Sequence, residues 1–174
     1  MKIKFKRVGM TVSFGLAVLW GGLGMAKIMW GQDEFWRPAS NGEVPRGAFR
    51  AGGEEGNPLF VCRAAHEGGL HPGKIRRDFD GCLIPFGGKE IHEKNFEVLV
   101  GMEDARWIPA SNGQIPRFAF KAGYEGGESM FVCRGRIEGG LHPGKIRSGF
   151  DGCLISYGGG ERHVPNYEVL IRER

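Results

Sequence analysis

The chain has 174 residues, enough for one ordinary domain or two very small ones. Its 31 glycines lack the three-residue period of collagen. They are also too many for a helical protein, because glycine costs roughly 1 kcal/mol per helical position relative to alanine. The formal charge of +4 and the pI near 9.0 come from the first residues: without 1–26, 20 basic and 20 acidic side chains remain, which leaves no excess to neutralise phosphates and argues against nucleic acid as a partner.

Residues 1–26 form a segment of their own. Lys2, Lys4, Lys6 and Arg7 make a basic start, and an uncharged run from Val8 to Ala26 follows. Gly24 and Ala26 give the small-x-small pattern of a cleavage site, so the segment is read as a signal peptide, with an uncleaved anchor as the alternative. Either way, the expected location is secreted or extracytoplasmic, and any membrane contact would be through an uncleaved leader.

The remainder is an internal repeat. Trp36-Arg-Pro-Ala-Ser-Asn-Gly42 returns 71 residues later as Trp107-Ile-Pro-Ala-Ser-Asn-Gly113. Gly68–Arg76 returns as Gly139–Arg147, and Phe79–Ile84 as Phe150–Ile155, without a gap. The first copy is assigned to 36–106 and the second to 107–174. In chain order the predicted strands of the first copy are Ala48–Ala51, ending at Gly52-Gly53; Leu59–Ala64, ending at Gly68-Gly69; Lys74–Arg76; Cys82–Phe86; and Phe96–Val100. Between the second and third, Gly69-Leu-His-Pro-Gly73 reads as a turn. No stretch keeps apolar residues at helical spacing for three turns. The fold class is therefore all-β, and two units of about 70 residues, each near the lower size limit for an independent core, are expected to pack about a pseudo-twofold axis.

The order Trp36, Asn41-Gly42, Val44-Pro45, Ala48, Ala51-Gly52, Phe60-Val-Cys-Arg63, Pro72-Gly-Lys74, Gly87-Gly-Lys-Glu90 and Phe96-Glu-Val-Leu99 resembles the DM-nine repeat family. The resemblance covers both copies. It implies tandem all-β repeats, several members of which are mannose-recognising lectins in immune or recognition roles. In those members an acid shortly after the Ala-Gly turn and the lysine of Pro-Gly-Lys hold the sugar hydroxyls. The matching carbohydrate-binding positions are Glu54 and Lys74 in the first copy and Glu125 and Lys145 in the second. The acid here is Glu where lectin members can have Asp, which moves the carboxylate outward by one methylene. A carboxylate accepts hydrogen bonds from neighbouring hydroxyls and an ammonium donates to them, so the pair suits an uncharged polyhydroxyl ligand. The bland alternative is a surface ion pair in a structural or protein-interaction repeat.

The cysteines recur at one spacing, Cys62 with Cys82 and Cys133 with Cys153. In an exported chain they are expected as two disulfides, preferably within each copy, with crossed pairs left open. Cys62, His71, Cys82 and His92 also form a zinc-compatible set that recurs as Cys133, His142, Cys153 and His163. It lacks a close Cys-x-x-Cys pair, and no metal or other cofactor is assigned. There is no Gly-x-Ser-x-Gly elbow, phosphate loop or His-Glu-x-x-His motif, so no catalytic residues and no enzyme activity are expected. Asp80 and Asp151 read as turn formers. Trp36 and Trp107 read as core, and Arg63 and Arg134 as internally paired. The expected partners are glycans with mannose-type sugars, bound at one site per repeat, and a homodimer would double their number.

Overall fold

The computed structural model describes residues 33–173. The leader assigned to 1–26 lies outside them. Apart from one three-residue 3₁₀ turn at Asp33–Phe35, the regular elements are fourteen strands, seven per copy. The first copy has β1 (Trp36–Ser40), β2 (Arg50–Glu54), β3 (Asn57–His66), β4 (Gly69–Ile75), β5 (Cys82–Phe86), β6 (Lys89–Glu93) and β7 (Asn95–Leu99). The second has β8 (Arg106–Ser111), β9 (Lys121–Glu125), β10 (Glu128–Ile137), β11 (Gly140–Ile146), β12 (Cys153–Tyr157), β13 (Gly160–Val164) and β14 (Asn166–Ile171). The all-β reading therefore holds.

Two-residue hairpins connect β2 to β3, β3 to β4 and β5 to β6, and their equivalents in the second copy. At the β3–β4 turn both Glu67 and Gly68 have positive φ, 43° and 79°. That is the type I′ geometry whose twist matches paired strands, and it explains why a glycine recurs at the second turn position.

All strand pairs are antiparallel. Six strands close a ring in the order β2–β3–β4–β9–β10–β11 and back to β2. Closure removes the strand edges that an open sheet would leave unpaired. The two joints between copies are symmetry equivalents: Gly53 pairs with Leu141, and Tyr124 with Leu70. They need close backbone approach. A Cβ on Gly52 would run into the Leu141 carbonyl, and one on Gly123 into the Leu70 carbonyl. A third joint, Gly160 with Lys89, maps onto itself under the 71-residue offset and lies at the pseudo-twofold. Strands β7–β1 and β14–β8 extend the sheet outside the ring.

Three apolar clusters follow from this layout. The central one draws on both copies: Trp36, Ala51, Val61 and Leu99 pack with Phe120, Ala122, Val132 and Leu170. One satellite per copy surrounds a disulfide, with Cys62, Ile75, Cys82 and Ile84 in the first and Cys133, Ile146, Cys153 and Ile155 in the second. The bridges are Cys62–Cys82 and Cys133–Cys153, so each copy is stapled on its own. Each spans 20 residues of sequence, worth roughly 3 kcal/mol in the chain-entropy picture.

Three sequence expectations need correction. Gly69–Gly73 is not a turn: it is the first part of β4, paired with β3 along its length. Its Gly73 is there for packing, since a Cβ at that position would strike the Leu83 carbonyl of β5. Gly52 and Gly53 lie inside β2 rather than ending it, for the close-approach reason given above. Strands β1 and β6 were not among the predicted elements; β6 is a short, half-exposed strand whose Lys89-Glu-Ile-His-Glu93 has little apolar signal.

Candidate functional site

Lys74 lies on β4 opposite Val61 of β3, and Lys145 occupies the equivalent place on β11 opposite Val132 of β10. Both side chains are almost wholly buried, each 2% exposed. This excludes the surface-pair alternative, because a buried ammonium must be compensated. The compensation crosses between copies. Lys74 Nζ lies 3.4 Å from His142 Nδ1, and Lys145 Nζ lies 3.0 Å from His71 Nδ1. The Gly53–Leu141 and Tyr124–Leu70 joints produce this exchange by setting the second β-strand of one copy against the lysine-bearing strand of the other.

The hydrogen-bond directions fix the histidine state. An ammonium only donates, so each Nδ1 must accept, which leaves the proton on Nε2. His71 Nε2 donates to the His66 carbonyl at 3.2 Å. His142 Nε2 is buried without a hydrogen-bond partner among the described residues, so the two copies differ at this atom. Burial first, and then the neighbouring Lys145, pushes the His71 pKa down to about 4. Burial and Lys74 lower that of His142. Both rings are thus neutral acceptors at physiological pH. Burial also lowers the two lysines, against the pull of Glu90 and Glu54 on Lys74 and of Glu125 and Glu161 on Lys145; Lys145 comes down to about 8.

The carboxylates assigned from the sequence come to the same places. Glu54 and Glu125 each act electrostatically on the lysine of their own copy. Their ion pairs, however, are with the arginine two residues after that lysine: Arg76 to Glu54 at 3.2 Å, and Arg147 to Glu125 at 3.5 Å. His142 Nε2 also lies 3.9 Å from Glu54. An aromatic ring from the other copy completes each group. Lys74 Nζ is 5.2 Å from the centroid of Tyr157, and Lys145 Nζ is 5.4 Å from that of Phe86. Burial first, and then the neighbouring Glu54 carboxylate, raises the Tyr157 pKa.

Four residues that sequence reasoning did not assign therefore belong to the sites: His142 and Tyr157 with Glu54 and Lys74, and His71 and Phe86 with Glu125 and Lys145. Their signal in the sequence was the repeated Leu-His-Pro-Gly-Lys run, in which histidine and lysine stand three apart. Within one copy they serve different sites.

The other motif residues have local partners. Arg63 bonds Glu97 at 2.7 Å and covers the Trp36 ring at 4.2 Å, and Arg134 repeats this with Glu168 at 2.7 Å and Trp107 at 4.1 Å. The tryptophan faces are therefore taken by arginine; Trp36 is buried and Trp107 packs partly buried against the same core. Of the zinc-compatible sets, all four cysteines are held in disulfides. His92 bonds Asp80 at 2.9 Å and His163 pairs with Asp151 at 2.7 Å.

A family model described as DM9 repeat matches residues 28–93 and 53–164. No curated protein sequence matches the chain. Among solved structures it is similar to the crystal structure of the nematode sperm cell motility protein MFP2B, with a TM-score of 0.59 and 13% sequence identity. That match takes in 79% of this chain but only 46% of the nematode protein, so the chain spans less than half of it. At this identity the likeness concerns the fold.

Proposed function

The chain belongs to the DM9 repeat family, and on that footing we propose that it is a secreted, non-catalytic, lectin-type protein that binds mannose-type glycans at two sites per chain. The observation that carries the reading is the buried lysine held by a neutral histidine of the other copy beside a carboxylate, built twice. An ammonium has three donors and the histidine takes one. The rest of its capacity, with the acceptor oxygens of Glu54 or Glu125, matches adjacent hydroxyls of a sugar. Charge-assisted hydrogen bonds from pre-positioned groups suit a ligand with no charge of its own. The cost of ordering the site has been met on folding, which favours affinity.

Secretion is supported by the two disulfides, since such bonds persist in oxidising compartments. The balanced charge of residues 27–174 supports sugar over nucleic acid. Two sites on one chain allow cross-linking of glycan-bearing surfaces, in which linked weak sites gain roughly 10²–10⁴ in avidity.

Calorimetry with methyl mannoside tests the reading. Two sites per chain are expected, with Kd on the order of micromolar to millimolar. Lys74→Met and Lys145→Met should each remove one site, and the double variant both; methionine keeps the buried volume, and each change costs about 1–3 kcal/mol of stability because a buried histidine Nδ1 loses its donor. A double variant that binds like the wild type overturns the site assignment. A wild-type chain that binds no mannose-type sugar and agglutinates no glycan-coated beads is a structural or protein-interaction repeat instead.

A further inference from the structure

Two clefts on the surface meet at one wall. The first, about 560 Å³, opens where β2 meets β11 and is lined by Arg50, Gly53, Glu54, Glu55, Arg134 and Arg136. The second, about 830 Å³, lies along β8, β10 and β14 and includes Ser111, Gln114, Asn166 and Glu168. Arg134, Arg136 and Leu141 line both, so the two form one trough that begins at Glu54. Glycines at 52, 53 and 135 keep part of its lining at backbone level. Each cleft falls within the size range of ligand pockets, roughly 300–1,000 Å³.

The charges along the trough are not equally committed. Arg134 is held by Glu168, by the Ala51 carbonyl at 3.0 Å and by the Trp107 ring. Arg136 is exposed and, among the described residues, has no ion pair or side-chain hydrogen bond. Its neighbours Ser111, Gln114 and Asn166 carry neutral donors and acceptors. The first copy does not repeat this arrangement. At the 71-residue offset Arg136 corresponds to Ala65, Gln114 to Glu43 and Val164 to Glu93, so a cation is lost and two acids are added.

We infer that this trough is a one-sided extended subsite for an acidic oligosaccharide, in which the Arg136 guanidinium grips the carboxylate of a uronate residue while the amide and hydroxyl side chains meet the neutral part of the chain. The guanidinium fork matches a carboxylate in two parallel hydrogen bonds, which a neutral hydroxymethyl group cannot replace. The inference extends the sugar-binding reading from the Glu54 site, and the test below separates the two.

The probes are tetramannuronate, mannotetraose and methyl mannoside, titrated into the whole chain. At low salt tetramannuronate should bind about ten-fold tighter than mannotetraose, and that advantage should shrink as salt is raised from about 20 mM to about 500 mM. Arg136→Ala should abolish the advantage and leave methyl mannoside binding unchanged, while Arg136→Lys should keep only part of it. Arg136 is exposed, so neither variant threatens the fold. Equal affinity for the two tetrasaccharides, or an advantage that survives Arg136→Ala, overturns the inference while leaving the lysine sites standing. An Arg136-dependent uronate advantage without any binding of methyl mannoside does the reverse: the trough stands and the lysine sites fail as sugar sites.

Discussion

Beside the ammonium of Lys74 stands Tyr157; beside that of Lys145, at the equivalent place, stands Phe86. The lysine, histidine, glutamate and arginine around them are the same in both sites. The single oxygen matters because Glu54 lies near enough to help raise its pKa, whereas Phe86 offers Glu125 no such group. Behind the rings the sites diverge again. His66 packs edge-on against Phe86 with ring centroids 4.8 Å apart and bonds Glu93 at 2.7 Å, where the second copy has Ile137. The lesson is that the frame binding the lysine is tied to the fold, while the wall facing a ligand is free to vary. Each carboxylate is paired with an arginine, and only the Tyr157 site sets a hydroxyl near it as well.

The largest expected effect concerns the shared frame. An unfolded histidine gains a proton as pH falls through about 6.5, while buried His71 resists until about 4. Between those values the unfolded state binds more protons, so stability falls as the solution is acidified. At about 1.4 kcal/mol per pKa unit the loss from His71 is on the order of 3 kcal/mol, or a Tm lower by roughly 10 °C. Thermal melts from pH 7 to pH 4 check this, and His142, lowered for the same reasons, adds to it. A flat profile would mean the histidines are not held neutral.

A smaller effect appears on the alkaline side and separates binding from stability. Lys145 loses its proton at about 8 in the fold, against 10.5 when unperturbed. Above pH 8 the unfolded state again holds more protons, so stability rises with pH over that window. Ligand affinity should move the other way, because the donor charge at the Phe86 site is lost. Calorimetry on Lys74→Met, which isolates that site, should show affinity falling about ten-fold from pH 7 to pH 9. Constant affinity would remove Lys145 from ligand contact.

The smallest effect tests the wall itself. Tyr157→Phe should free Glu54 and make the two sites alike, strengthening the first by a few-fold, about 1 kcal/mol. Phe86→Tyr should weaken the second to a similar extent. Two-site fits that do not respond to either exchange would show that the hydroxyl is not part of the ligand surface.

Much of this was legible in the sequence because it is local. Glycine at the second position of each two-residue hairpin, the 71-residue repeat, and paired cysteines inside strand-like runs pointed to the all-β fold and the bridges. Glu54, Lys74, Glu125 and Lys145 were placed by resemblance; each glutamate acts electrostatically on its lysine but forms its ion pair with the arginine two residues further on. The crossing was not legible. It depends on two joints of a single residue pair each, Gly53–Leu141 and Tyr124–Leu70, and no spacing within a copy encodes them. Reading Gly69–Gly73 as a turn hid it further. The glycines there answer to the crowding of neighbouring atoms, so part of the usual turn signal was produced by packing, and His71 was taken out of the strand that aims it at the other copy.

The reciprocal joints have a further consequence. One copy by itself carries both halves of the junction, the receiving edge at Leu70 and the donating one at Gly53. Two separate single-copy chains therefore hold every pairing needed to close the six-strand ring as a symmetric pair, each lending its histidine to the lysine of its twin. In such a pair the two walls would have to be identical, since one sequence would write both. Joining the copies into one chain lifts that constraint without altering a single joint, and a tyrosine can face one lysine while a phenylalanine faces the other.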